Sequence, residues 1–410
     1  MTIPMAITRR ALFASPLLLA PATVRAATPA LRGTGDLGLI IERATGSILI
    51  VEYTGRSILA RIEGLGDLSH AAAVYAPDQR HAFIFGRDGG LSKIDMLEQR
   101  LINRIVQGGN AIGGAISDDG ELIAVSNYEP GGVRIFDQAT LEPLHDIKAA
   151  YGNGQFSKTV GLVDLPGRRF LVSLYDAGEI WMIDCAKPGD PQVQVIGKAG
   201  ALPYDGYVTA DGRHYLAGLF GEDGLAHVDL WKEPLSVERV LAGYGKGEEP
   251  LPVYKMPHLE GWGNTGRELV LPAVGRHEVL MVDNETFAET GRLAVHGQPI
   301  FCIVQPGGRY VWVNFAMPHN DTIQVIDMLS RKVVHELKPG PGVLHMEFTP
   351  KGREVWMSVR DADRVHVYDT ASLQRLAELP AQKPSGIFFT ARANRIGCLL
   401  YTSDAADEPI

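Results

Sequence analysis

From Leu39 to Phe389 the chain alternates short apolar runs with polar turns, and no run lengthens into the three- and four-residue stripe of an amphipathic helix. The runs are rich in β-branched and aromatic residues, as in His81-Ala82-Phe83-Ile84-Phe85 and Tyr310-Val311-Trp312-Val313, and are predicted to be strands. Eight of them end on an acid in a common pattern: Ile50-Val51-Glu52, Lys93-Ile94-Asp95, Ile135-Phe136-Asp137, Met182-Ile183-Asp184, His227-Val228-Asp229, Met281-Val282-Asp283, Val325-Ile326-Asp327 and Val367-Tyr368-Asp369. The steps between the acids are 43, 42, 47, 45, 54, 44 and 42 residues. A repeat of that length holding about four short strands is the signature of propeller blades.

Turns recur inside each unit. Pro77-Asp78-Gln79-Arg80, Ser117-Asp118-Asp119-Gly120, Leu165-Pro166-Gly167-Arg168, Ala210-Asp211-Gly212-Arg213, Asn264-Thr265-Gly266-Arg267, Gln305-Pro306-Gly307-Gly308 and Thr349-Pro350-Lys351-Gly352 each precede a second strand. The unit that starts at Leu39 lacks a first strand, and Pro384-Ser385-Gly386-Ile387-Phe388-Phe389-Thr390 supplies one with no blade after it. Pairing the two closes the ring and hides both sheet edges. The predicted fold is therefore all-β: an eight-bladed β-propeller over residues 28–397, with four antiparallel strands per blade and the first blade closed by the C-terminal strand. Two separate β-sandwiches are the alternative.

An up-and-down blade with its first strand innermost has two different ends. The start of strand one and the link between strands two and three share one face, called here the mouth face. The turns above lie on the opposite face, where their Asp, Gly, Arg and Pro content needs no function. The mouth face collects His70, Tyr204-Asp205, His258, Gln298 and His345 from strand starts. From the links it collects Arg87, Asn127-Tyr128-Glu129, Tyr175-Asp176, Gly221-Glu222-Asp223, Arg276-His277, Met317-Pro318-His319-Asn320 and Arg360-Asp361. A neutral imidazole can give a lone pair to haem iron, and arginine matches a carboxylate in two-pronged fashion. Taken singly, each has a plainer explanation. A histidine at a strand start is ordinarily a hydrogen-bonded structural residue, Arg360 with Asp361 can be a solvated ion pair, and Gly86-Arg87-Asp88-Gly89 a hairpin turn.

The net charge of −9 argues against a nucleic-acid partner, because phosphate binding needs a basic face. The three cysteines, Cys185, Cys302 and Cys398, form neither a C-x-x-C pair nor a C-x-x-C-H motif, so no c-type haem is expected. Cys185 and Cys302 sit in apolar runs and are expected to be buried thiols. Gly33-Thr34-Gly35-Asp36-Leu37-Gly38 matches G-x-G-x-x-G, but strand-like Leu39-Ile40-Ile41 follows where a dinucleotide site needs a helix, so NAD is not expected. Residues 1–27 carry Arg9-Arg10, an apolar run and a small-residue cleavage region, and are read as a twin-arginine-type export signal to the periplasm. The apolar run is too short for a membrane span. Residues 398–410 break the repeat and resemble translated adapter sequence, so they are read as a non-native tail.

The stretch His70 through Gly89, HAAAVYAPDQRHAFIFGRDG, resembles the d1-haem propeller family, specifically the segment bearing the proximal iron ligand in its nitrite reductase. Pro257-His258-Leu259-Glu260-Gly261-Trp262 resembles the segment with one of that reductase's two distal histidines; the second falls near Gln298-Pro299-Ile300 and is not kept, which argues against nitrite reduction. The resemblance covers most of residues 35–397. It implies a periplasmic protein that binds haem d1 or a dihydro-haem d1 precursor and acts in haem d1 biosynthesis. It implies His70 as the axial iron ligand; a maturation enzyme of this kind would clamp carboxylates with Arg87 and Arg360 and use His258 or a nearby Tyr as acid or base. Tyr175, Tyr204, Asp205, Gln298, His319 and His345 complete the expected cofactor-binding set. The implied partners are the iron tetrapyrrole, apo-cytochrome cd1 nitrite reductase and other haem d1 maturation proteins. Three roles stay open on the residues alone: an enzyme modifying ring side chains, a non-catalytic carrier delivering the cofactor, and a propeller scaffold.

Overall fold

A computed structural model describes residues 33–244, 262–273 and 276–391, all within one compact unit that begins at Gly33. The expected export signal (1–27) and tail (398–410) lie outside the described residues. Among those described, eight four-stranded antiparallel sheets form a propeller. The inner strands are Pro384–Phe389 in blade 1, Ala72–Tyr75 in blade 2, Asn110–Ile116 in blade 3 and Thr159–Leu165 in blade 4. Pro203–Val208, Gly263–Asn264, Pro299–Val304 and Val343–Phe348 serve blades 5 to 8. Each blade is packed on both faces by its neighbours, so its second and third strands are buried on both sides. This is why the sequence shows unbroken apolar runs instead of alternation.

The C-terminal strand closes the ring. Pro384–Phe389 pairs antiparallel with Leu37–Glu42, matching Ile387 to Ile40 and Phe389 to Gly38. Glu42 fastens the seam: its fully buried carboxylate accepts from Arg61 (2.7 and 2.9 Å), from Ser47 Oγ (2.8 Å) and from the Gln382 amide (2.7 Å). Tyr75 Oη donates to the Phe388 carbonyl at 2.8 Å and ties the same strand to blade 2.

The repeated acid has a structural cause. Asp95 accepts from the amides of Leu97 and Glu98, Asp283 from those of Glu285 and Thr286, and Asp369 from those of Ala371 and Ser372, each at 3.1 Å or less. The carboxylate caps the turn between the third and fourth strands on the face opposite the mouth. In three blades an arginine from the preceding turn braces it, as Arg80–Asp95, Arg213–Asp229 and Arg309–Asp327. Three residues of 3-10 helix, Thr34–Asp36, followed by the strand Leu37–Glu42, occupy the G-x-G-x-x-G segment.

Cys185 and Cys302 are buried free thiols, and burial pushes the Cys185 thiol up to about 11. Asn127, Tyr128 and Glu129, expected in a link, instead finish the strand Leu122–Glu129. The chain turns later, at Pro130-Gly131-Gly132. A buried amide pair, Gln107 Nε2 to Asn127 Oδ1 at 2.8 Å, holds the strand end against the turn before it. The 47-residue step accommodates a small hairpin outside the blades, Ala150–Tyr151 with Gln155–Phe156.

Candidate functional site

One hydrogen bond recurs at the mouth face. A residue one or two positions after a second strand donates its amide to a carbonyl in the segment that leads into the first strand of its own blade. The pairs are Arg43 to Lys383 in blade 1, Arg87 to Asp67 in blade 2, Tyr175 to Lys158 in blade 4 and Phe220 to Leu202 in blade 5. Ala316 to Gln298 in blade 7 and Arg360 to Gly342 in blade 8 complete the series, with lengths from 2.8 to 3.3 Å. These bonds put both groups of expected residues on one face. They also show that Arg360 and Arg43 hold the same structural position in adjacent blades 8 and 1, with Arg87 one residue further along in blade 2. Tyr175 and Phe220 hold the Arg43 position in blades 4 and 5. One arc of the mouth thus carries arginines and the facing arc aromatic residues. Arg43 was missed from sequence because its blade starts out of phase, its first strand lying at the other end of the chain.

Several inner strands carry a β-bulge near the mouth, and expected residues fall on the bulges. The register shifts between Pro203 and Gly206 take in Tyr204 and Asp205, and those between Val343 and Met346 take in Leu344 and His345. An extra residue in one strand bends it and re-aims its side chains. Close backbone approach supports this at blade 5. Gly161, at φ +57°, would place a β-carbon 2.5 Å from both the Gly206 nitrogen and the Tyr204 carbonyl, so only glycine fits there.

The aromatic arc is a built cluster. Tyr128 Oη hydrogen-bonds Tyr204 Oη at 2.8 Å. The Tyr204 ring meets Phe220 edge-to-face at 4.6 Å and Tyr175 at 6.1 Å, and Lys158 Nζ lies 5.3 Å above the Tyr175 ring. Burial pushes the Tyr128 phenol above its ordinary range. The hydrogen bond with Tyr204 and the Arg87 cation pull the other way, and Asp205 and Tyr175 reinforce burial. Tyr204 is raised well above its ordinary range by burial, then by Tyr128 and Asp205. Arg87, Tyr128, Tyr175, Tyr204 and Asp205, from four consecutive blades, therefore share one neighbourhood.

The histidines are placed differently from one another. His70 is buried in the segment that leads into Ala72–Tyr75. His345 is fully buried; its Nδ1 accepts from the Ile387 amide at 2.9 Å, and its ring stacks on Phe388. His319 is at the rim of blade 7, its ring 4.4 Å from that of His296 and packed against Gly297, one residue from buried Gln298. Arg360 grips the adjacent Asp361 with both prongs, at 3.0 and 3.1 Å. That guanidinium draws the Asp361 carboxyl below its usual range. His258 lies outside the described residues.

Known proteins resemble this chain over nearly its whole length. It is 53% identical over 385 residues to Protein NirF of Pseudomonas aeruginosa, covering 93% of this chain and 98% of that one. It is likewise 53% identical to Protein NirF of Stutzerimonas stutzeri, over 90% and 94% of the two chains. Dihydro-heme d1 dehydrogenase of P. aeruginosa is 27% identical over 88% of this chain and 72% of its own. Among solved structures, dihydro-heme d1 dehydrogenase NirN in complex with DHE superposes with a TM-score of 0.77 at 25% identity, over 91% of this chain and 79% of that one. Apo AztD from Citrobacter koseri, at 12% identity and a TM-score of 0.60 over 86% and 96%, shares the fold alone. Residues 32–393 match the family described as Cytochrome D1 heme domain, and the chain belongs to that family.

Proposed function

We propose that the propeller binds haem d1 or a late iron-tetrapyrrole precursor at its mouth, in the periplasm, and takes part in haem d1 biosynthesis for nitrite reductase. The supporting observation is the family match across the whole propeller, with the two ends of the His70-to-Gly89 stretch on the mouth face. The 53% identity over nearly the whole length of two NirF proteins, and the likeness to a dehydrogenase solved with DHE, support a d1-type ligand.

The residues suit such a ring. His70 is the proposed axial ligand, a neutral imidazole donating to iron. Arg43, Arg87 and Arg360 form an arginine arc for ring carboxylates, where the guanidinium fork matches a carboxylate edge. Tyr175 and Phe220, with Tyr204 buried between them, offer apolar surface to a flat macrocycle. Asp205, Gln298 and His319 add polar groups at the rim, and His258 is the proposed acid or base for side-chain modification. The bound ring supplies the iron and the conjugated system; the chain positions it and handles protons.

Titration of the purified protein with ferric haem d1 tests this. A saturable Soret shift that weakens at least tenfold in His70→Ala is the expected result. No shift with the wild type would overturn the proposal. Incubation with a late precursor then separates the two roles. A mass change of the ring assigns modification, whereas transfer of an unchanged ring to apo-cytochrome cd1 nitrite reductase assigns carriage.

A further inference from the structure

Tyr128 and Tyr204 come from different parts of the ring, the second strand of blade 3 and the inner strand of blade 5, yet their hydroxyls meet at 2.8 Å. Tyr204 is almost wholly buried, wedged between Tyr175 and Phe220, whereas Tyr128 is half-buried. The pair is held stiffly. The strand end bearing Tyr128 is fixed by the Gln107–Asn127 amide pair and by Thr159 Oγ1, which accepts from the Asn127 amide at 3.0 Å. The Tyr204 bulge is fixed by the contact of Gly161 with Gly206.

A hydroxyl donates one hydrogen and accepts up to two. Two hydroxyls at this distance can exchange donor and acceptor roles by rotating about their C–O bonds, with no heavy atom moving. Tyr128 donates to Tyr204; with the roles reversed, the Tyr128 hydrogen is released for an acceptor at the mouth. The bond it then makes is strengthened by the one it receives. Burial and the Asp205 charge keep both phenols protonated, so the pair stays a donor. Arg87 acts on the same Tyr128 phenol from the neighbouring blade.

We infer that the Tyr128–Tyr204 pair is a hydroxyl relay whose Tyr128 end donates to a carboxylate of the bound tetrapyrrole, the same carboxylate that Arg87 holds. This makes Tyr128 a positioning residue for the ligand. It rests on the tetrapyrrole reading above and adds which ring substituent is recognised and by what.

The test is absorbance titration of the full-length protein with ferric mesoporphyrin and, in the same detergent, with its dimethyl ester. Tyr128→Phe keeps the ring and removes the donor. It is expected to weaken binding of the free acid about tenfold, the scale of a hydrogen bond to a charged acceptor, and to leave ester binding within about twofold. Tyr204→Phe should give a smaller loss confined to the same ligand. Tyr128→Phe with Arg87→Gln should cost less than the product of the single losses, because both grip one group. Equal losses for acid and ester, no loss for either, or multiplicative single losses would overturn the relay. Absence of binding by the wild type to the acid, the ester and ferric haem d1 alike would overturn the tetrapyrrole reading itself, which keeps the two failures distinct.

Discussion

The Ile387 amide donates to His345 Nδ1 at 2.9 Å, so the neutral His345 ring carries its hydrogen on Nε2. That nitrogen has no lone pair to give, and His345 in this tautomer is a donor, not an iron ligand. The bond joins the inner strand of blade 8 to the closing strand. The Ser358 hydroxyl braces the other side, accepting from the His345 amide at 2.8 Å. His345→Ala is therefore expected to lower stability by about 2–3 kcal/mol through a lost buried bond and a cavity. The coordination signature of a bound ferric ring should persist. Chemical denaturation and the Soret spectrum of the same samples check both halves.

Glu42 holds the ring closed at the mouth end of blade 1, next to the Arg43–Lys383 bond. Its carboxylate has partners on both sides of the seam, Arg61 and Ser47 within blade 1 and Gln382 before the closing strand. Glu42→Ala strips the Gln382 amide of its acceptor and leaves Arg61 without its counter-ion. A loss of about 2–4 kcal/mol is expected, the scale of breaking a largely buried pair. Limited proteolysis should cut the variant first near residues 382–391, and wild-type protein should resist at the same protease concentration.

Gly161 is where backbone packing meets the aromatic arc. Gly161→Ala adds a β-carbon at a positive φ and against the blade 5 backbone. A stability loss of roughly 2–4 kcal/mol is expected from strain and overpacking. Because the displaced atoms belong to Tyr204 and Gly206, tetrapyrrole affinity should fall as well. Gly154→Ala, where no atom lies within 4 Å, is the control that should keep affinity within about twofold.

Much of the architecture was legible because its causes are local. Asp95, Asp283 and Asp369 cap turns with their own side chains, so the repeat is written in residues a few positions apart. Closure was legible because an orphan strand at one end matched a missing strand at the other. The mouth was only partly legible. Its histidines, tyrosines and two of its arginines follow from strand order, but the bulges that carry Tyr204, Asp205 and His345 depend on which neighbouring backbone presses on the strand. Arg43 escaped because its equivalence with Arg360 is carried by a bond to Lys383, 340 residues away. Phe220 escaped because an aromatic after a strand looks like core until Tyr204 is seen against it.

A buried imidazole pair on the opposite face makes stability depend on pH. His214 Nδ1 and His227 Nε2 lie 2.9 Å apart, with the Phe287 ring against both. Burial lowers both groups, and His227, next to His214, falls to about 4 from an ordinary 6.5. Asp211, Asp229, Arg213, Lys232 and Glu238 surround the pair. Asp229 is held at about 2, chiefly by its hydrogen bond from Arg213, and stays ionised in this range. Between about pH 6.5 and 4 the unfolded chain binds more protons than the folded one, so stability falls as pH falls through that window. The loss should be on the order of 1–2 kcal/mol after allowing for partial solvent access. Denaturation midpoints from pH 7.5 to 4 check it, with a shallower slope expected in His227→Gln.

We propose that the mouth of the propeller ligates tetrapyrrole iron through His70. The most direct test is electron paramagnetic resonance of the ferric haem d1 complex in wild-type protein and in His70→Gly, with and without added imidazole. The wild type should show an imidazole-ligated ferric spectrum. The variant should lose it and regain it when free imidazole enters the space left by the side chain. An unchanged spectrum in His70→Gly would contradict the assignment.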